Sequence, residues 1–157
     1  MTEPIRLQAG DTAPAFTLTD QDGNTVSLSD FAGKRVVLYT YPRAFTPGCT
    51  TEACDFRDSE ARITAAGYEV LALSTDPATK LADFKQEYEL PFRLLSDPGH
   101  EVQAAYGAYG EKKNYGKTVI GSIRSTFLID EEGKIFEALY NVRAKGHVDR
   151  VLKLLEK

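Results

Sequence analysis

The chain has 157 residues, the length of about one domain. Hydrophobic residues make up 42% and charged residues 27%, a balance that lets a globular chain of this size bury a core without disulfide staples. A formal net charge of −4 argues against a nucleic-acid partner, which is bound through clustered Lys and Arg; no apolar stretch nears the ~18 residues of a transmembrane helix, and the first eleven residues lack a signal-peptide layout, so a cytoplasmic protein is expected.

In chain order, residues 16–28 read as a β-hairpin, with Phe16-Thr17-Leu18, a polar turn from Asp20 to Asn24, then Val26-Ser27-Leu28. Residues 35–41 form a near-continuous apolar, β-branched run, which predicts a strand buried on both faces; residues 68–74 repeat that character. Between them, residues 48–66 are expected to be one helix. Thr75-Asp76-Pro77 opens a second, carrying Leu81, Phe84 and Tyr88, and Asp97-Pro98 a short third, with Pro98 suited to a first helical position. Residues 125–140 look like a second hairpin turning at Glu131-Glu132-Gly133, and residues 146–155 a last helix with Val148, Val151, Leu152 and Leu155 on one stripe. That order predicts a single α/β domain over residues 1–157, with a mixed central sheet flanked by helices and an N-terminal β-hairpin.

Cys49, Cys54, His100 and His147 are the entire cysteine and histidine stock. Their spacing matches no common zinc finger or ribbon, so neither a metal nor another cofactor is expected, and both histidines read as surface residues. The cysteines are five apart rather than Cys-x-x-Cys, which removes support for ordinary thioredoxin-like exchange. Two inert thiols and one reactive pair both remain open. Residues 41–49 join the first buried strand to its helix, with Thr46 suited to the N-cap and Pro47 to the first helical position. Cys49 then falls in the first turn, at the positive end of the helix dipole, where unpaired N–H groups stabilise a thiolate and lower its pKa. The carboxyl end of a central strand is also where open α/β sheets place their chemistry.

Five residues along a helix rotate by about 140° and rise ~7.5 Å, leaving the Cα atoms about 8–9 Å apart. A disulfide needs them within roughly 7 Å. Cys49 shares a face with Ala53, Phe56 and Ile63, whereas Cys54 points elsewhere, so the two thiols bond only if the first turns unwind. Taken alone, Glu52 reads as a carboxylate complementing the helix dipole rather than as a group assisting near the site, Pro42 as loop punctuation and Arg124 as a surface charge. Residues 110–118 imitate a phosphate-binding P-loop, but five residues separate the glycines where four are needed, and a strand rather than a helix is expected to follow.

Pro42-x-x-x-Thr46-x-x-Cys49 resembles the active-site motif of the peroxiredoxins. The longer run from Tyr41 to Asp58 is similar to the bacterioferritin comigratory protein (PrxQ) branch, as are Gly10–Leu18, Gly110-Glu111-Lys112-Lys113, Tyr115-Gly116-Lys117 and Gly121–Asp130. The likeness covers nearly the whole chain. Ala44 and Phe45 stand where relatives often carry charge, a difference expected to alter the rim of the pocket rather than the chemistry. The resemblance implies a thioredoxin-like fold and a thiol peroxidase. Cys49 would be the thiolate that attacks a peroxide and becomes sulfenic acid, with Thr46 holding sulfur and peroxide, Arg124 supplying a fixed positive charge and Pro42 shielding the site from water. Cys54 would condense with the sulfenic acid to an internal disulfide, reduced in turn by a thioredoxin-type dithiol. Both thiols lie in one chain, so a monomer is expected. A non-catalytic thioredoxin-fold binding module and a general disulfide reductase are the competing classes.

Overall fold

The computed structural model describes residues 6–114 and 116–155. The expected hairpins and buried strands are present as β1 (Thr17–Asp20) and β2 (Thr25–Ser27), β3 (Arg35–Thr40), β4 (Tyr68–Ser74), β8 (Ser125–Ile129) and β9 (Ile135–Leu139). Beyond them stand β5 (Arg93–Ser96) and a hairpin of β6 (Tyr109–Asn114) and β7 (Lys117–Ser122). One sheet runs in the order β2-β1-β5-β4-β3-β8-β9. Strands β3, β4 and β5 pair in parallel, while the flanking pairings, β3 with β8 and β8 with β9 on one side and β5 with β1 and β1 with β2 on the other, are antiparallel. This is the expected mixed sheet of a thioredoxin-like fold. β5 is four residues long, too short for period 2 to announce it; its place comes from pairing with β4 and β1.

Helices α1 (Pro47–Asp58), α2 (Glu60–Ala65), α3 (Ala78–Tyr88), α4 (Glu101–Ala105) and α5 (His147–Leu155) complete the domain. The single helix expected over residues 48–66 is broken at Ser59 (φ −104°, ψ 2°), so Ile63 reaches the core from a second axis. The short third helix starts at Glu101, not at Pro98. Asp97 and its successors form a turn in which His100 N–H donates to the Asp97 carbonyl at 2.9 Å, and the Asp97 carboxylate accepts the Gln103 N–H at 2.9 Å.

Alternation along β3 divides the core. Val37 and Tyr39, with Tyr41 just beyond, face α1, α2, α3 and α5 and pack with Phe56, Ile63 and Phe84. Val36 and Leu38 face the other way, toward Phe16, Tyr106 and Phe127. Each such side chain contributes roughly 1.5–3 kcal/mol by leaving water. Tyr39 stacks on Phe56 with ring centroids 4.4 Å apart, which seats α1 against the carboxyl end of β3. Among the described residues, no helix is long and apolar enough to cross a membrane.

Candidate active site

The segment leaving β3 is pinned before the helix begins. Tyr41 N–H donates to the Leu73 carbonyl at 3.1 Å, and Ala44 N–H donates to Asp76 Oδ2 at 2.8 Å. The buried Asp76 carboxylate also accepts the Ser74 hydroxyl at 3.0 Å and pairs with Lys80 at 3.4 Å. Phe45 follows in the left-handed region at φ 68°, a conformation that costs a bulky residue free energy. Its half-exposed ring packs against Phe84 at 5.1 Å and Tyr88 at 6.2 Å, so position 45 clasps α3. Asp76→Ala leaves the buried Ala44 N–H without an acceptor and is expected to cost about 1–3 kcal/mol. Urea unfolding measures it, and Asp76→Asn, which keeps an oxygen, should lose less.

Thr46 occupies the N-cap and Pro47 the first helical position, as expected, but no side chain caps the helix. The Thr46 hydroxyl instead donates to the Arg43 carbonyl at 2.8 Å. The first turn therefore presents its amides uncapped by a side chain, with Cys49 among them. Cys49 is 1% exposed, and Arg124 Nη2 donates to its sulfur at 3.3 Å. Gly48 leaves room for this approach, since a Cβ there would stand 3.2 Å from Arg124 Nη2.

Arg124 is not the surface charge that its sequence position suggests. Its side chain is 16% exposed, and Nη1 donates to Glu52 Oε1 at 2.6 Å. Its backbone is held on both sides. The Thr40 hydroxyl donates to the Ile123 carbonyl at 2.8 Å and accepts Ser125 N–H at 3.1 Å, and Val142 N–H donates to the Arg124 carbonyl at 3.0 Å. One guanidinium thus bridges the thiol sulfur and a carboxylate.

Glu52 is likewise not a dipole-complementing surface acid. It is fully buried, beyond the first turn of α1. Burial pushes its carboxyl up to about 7, against the pull of Arg124, and Oε2 has no hydrogen-bond partner among the described residues. Burial holds the neighbouring Tyr39 phenol, beside Glu52 and Cys49, far above its ordinary range, and it stays neutral.

His147, expected at the surface, is buried at 4% exposure. It shares a hydrogen bond with the Thr126 hydroxyl at 2.7 Å and meets Phe56 edge-on at 6.4 Å. Burial, with Arg150 and Arg124 nearby, pushes its pKa down to about 4, so the ring is neutral. The signal was present, since position 147 lies one helical turn before Val151 on the buried stripe of α5. His100 is exposed, as expected, and stacks on Tyr109 at 3.9 Å.

Cys54 is half-buried, and both thiols are free on an intact α1, as helix geometry requires. Pro42 and Thr46 line a cleft of about 410 Å³ together with Arg43, Thr75, Tyr109 and Ile120; β6 and β7 supply its far wall. The P-loop-like run is this hairpin, with no helix N-terminus to receive a phosphate; its Tyr115 lies outside the described residues. A larger cavity of about 580 Å³ opens at the amino ends of the parallel strands, and three of the cations that line it, Arg35, Lys85 and Arg93, are engaged. Arg35 pairs with Glu131 at 2.7 Å, Arg93 with Glu69 at 3.2 Å, and Lys85 donates to the Leu90 and Phe92 carbonyls.

Known proteins share this chain's sequence and fold over most of its length. The AhpC/TSA family profile matches residues 9–138. A Mycobacterium tuberculosis relative named as a peroxiredoxin is 58% identical over 151 residues, 96% of each chain. The Escherichia coli peroxiredoxin Bcp is 47% identical over 150 residues, again 96% of each. The solved bacterioferritin comigratory protein of Xanthomonas campestris superposes with a TM-score of 0.86 at 33% identity, covering 98% of this chain and 97% of its own. The chain belongs to the AhpC/TSA family and, within it, to the peroxiredoxins of the bacterioferritin comigratory (PrxQ) branch.

Proposed function

We propose that the protein reduces hydrogen peroxide and organic hydroperoxides through Cys49, with Cys54 resolving the product and a thioredoxin-type dithiol restoring both thiols in the cytoplasm. The observation that carries this is the Cys49 sulfur in the first turn of α1 with Arg124 Nη2 at 3.3 Å. A fixed cation and uncapped helix amides favour the thiolate, which is the nucleophile. The sulfur attacks the terminal peroxide oxygen, the O–O bond breaks, and the leaving oxygen departs as water or an alcohol after taking a proton. Arg124 also stabilises the negative charge that develops on that oxygen. Thr46 and Pro42 on the cleft wall receive the peroxide and limit water, and Ile120 opposite them offers an apolar surface to an organic tail. Alkyl peroxide reduction is the activity named for the Xanthomonas relative.

The Cys54 thiol then displaces water from the sulfenic acid and forms the internal disulfide. Because α1 holds the sulfurs apart, its first turns unwind for this step. The cycle needs no residue from a second subunit, so the working unit is a monomer. The test is one equivalent of hydrogen peroxide added to reduced protein in competition with free cysteine, followed by intact mass. A Cys49–Cys54 disulfide formed ahead of the competitor supports the assignment; oxidation of the competitor alone overturns it in favour of a non-catalytic module. Cys54→Ser should consume one equivalent, gain one oxygen at Cys49 and lose thioredoxin-driven turnover. Preserved turnover in that variant would remove Cys54 from the cycle.

A further inference from the structure

The two cysteines leave one chemical group of the site unused. Glu52 lies between them in sequence, three residues after Cys49 and two before Cys54, so any unwinding that joins the thiols carries Glu52 with it. In the wound helix its carboxyl is fully buried, with Oε1 on Arg124 and Oε2 unpartnered. The groups facing it are Arg124 from the segment before β8, Tyr39 and Tyr41 from β3, and Cys49 and Asp55 from α1 itself; His147 on α5 is neutral. Arg124 supplies one positive charge. If Cys49 and Glu52 were both ionised, the buried site would carry a net negative charge that it could not solvate. One of the two keeps a proton. Cys49 stands in the first turn of α1, at the positive end of the helix dipole, with Arg124 Nη2 on its sulfur, whereas Glu52, beyond that turn, has Arg124 Nη1 alone, so the negative charge is placed on the sulfur and the proton on the carboxyl.

We propose that Glu52 is the proton carrier of the redox cycle, protonated while α1 is wound over a Cys49 thiolate and ionised once α1 unwinds into the disulfide. This rests on the peroxidase assignment above. When the dithiol reduces the disulfide, Cys54 recovers its proton and Cys49 becomes a thiolate. Glu52 takes up the second proton as the helix rewinds. Two electrons and two protons therefore enter the protein, although one sulfur remains ionised. On oxidation the same proton leaves Glu52, matching the one that the departing peroxide oxygen requires. The buried site then stays neutral while Arg124 faces the thiolate. Burial raises the carboxyl pKa only in the wound helix, so the wound form is favoured at lower pH and loses that advantage as the pH rises through about 7.

The test is the pH dependence of the disulfide equilibrium against reduced and oxidised dithiothreitol, read by mass for the unaltered chain and for Glu52→Gln. Glutamine keeps an oxygen for Arg124 Nη1 and cannot carry the proton. Between the thiolate midpoint and about pH 6, where the buried Glu52 carboxyl still holds its proton, reduction of the unaltered protein should bind two protons and that of Glu52→Gln one. On an absolute scale the two equilibria then change about a hundredfold and tenfold per pH unit, or about 59 and 30 mV. Ultraviolet absorbance of the thiolate should show the same Cys49 midpoint in both proteins. Infrared difference spectra of the unaltered protein should show a protonated-carboxyl band that is lost on oxidation, which keeps the test independent of how the variant folds. Equal proton counts in the two proteins, or a Cys49 midpoint lowered tenfold or more by Glu52→Gln, would overturn the assignment, the latter because it marks Glu52 as the ionised partner. Failure of the unaltered protein to form the Cys49–Cys54 bond overturns the peroxidase assignment instead, whatever Glu52 does.

Discussion

Cys49→Ser is expected to abolish peroxide turnover, a loss of more than about a thousandfold, because a serine hydroxyl does not ionise near neutral pH and cannot take over the nucleophilic role. The same change should leave the fold intact. Cys49 sits at 1% exposure beside Ala53 and Phe56, and serine fills nearly the same volume. Arg124 Nη2, 3.3 Å from the sulfur, can donate to the introduced hydroxyl, so the stability cost should be about 1 kcal/mol. Steady-state peroxide consumption with a thioredoxin system and urea unfolding separate the two effects. A variant that kept a tenth of the activity would show that Cys49 is not the nucleophile.

Arg124→Ala should have the next largest effect, on rate and stability together. It removes the cation from the sulfur and from Glu52 at once. Loss of a preorganised charge of this kind slows a reaction by about a hundred- to a thousandfold. The thiolate midpoint should rise, visible as a displaced acid limb in iodoacetamide reactivity. Breaking a buried ion pair costs about 3–5 kcal/mol when the remaining charge stays ionised, but a Glu52 carboxyl that holds its proton leaves no charge behind. Its carboxyl, already raised by burial, rises further without Arg124. A carboxyl whose pKa is raised by folding destabilises the fold as pH rises through its titration, so the cost should be smaller near about pH 6 than near about pH 8. Urea unfolding at the two values checks the sign. Arg124→Lys should retain part of the stability but not the simultaneous contact with Sγ and Oε1, because an ammonium is a point charge without the planar fork of a guanidinium.

The scaffold and the place of the candidate nucleophile, Cys49, were legible in the order of residues alone. Near-continuous apolar, β-branched runs located β3 and β4, the stripe of Val148, Val151, Leu152 and Leu155 located α5, and Thr46-Pro47 marked the start of α1. Those signals are local, since backbone preference and burial act within a few residues. Helix geometry also showed from spacing alone that Cys49 and Cys54 cannot bond in a wound α1. The motif shared with the peroxiredoxins was needed to bring Arg124 to Cys49, 75 positions away, because no local rule distinguishes a buried cation from a solvated one.

What depends on packing across that distance emerges only in the folded chain. Glu52 and Arg124 looked like surface charges and became a buried pair; His147 looked like a surface ring and became a neutral core group on Thr126 and Phe56. Asp76 looked like a helix opener and proved to hold the Ala44 N–H beside the active-site loop. β5 and the β6–β7 hairpin were missed because their pairing partners, rather than their own residues, define them. The break at Ser59 escaped notice because Ile63 keeps helical spacing with Cys49 and Phe56 while standing on a different axis. Charge and burial are properties of a neighbourhood, and the sheet that brings β3, β4 and β8 together creates that neighbourhood only when the chain has folded.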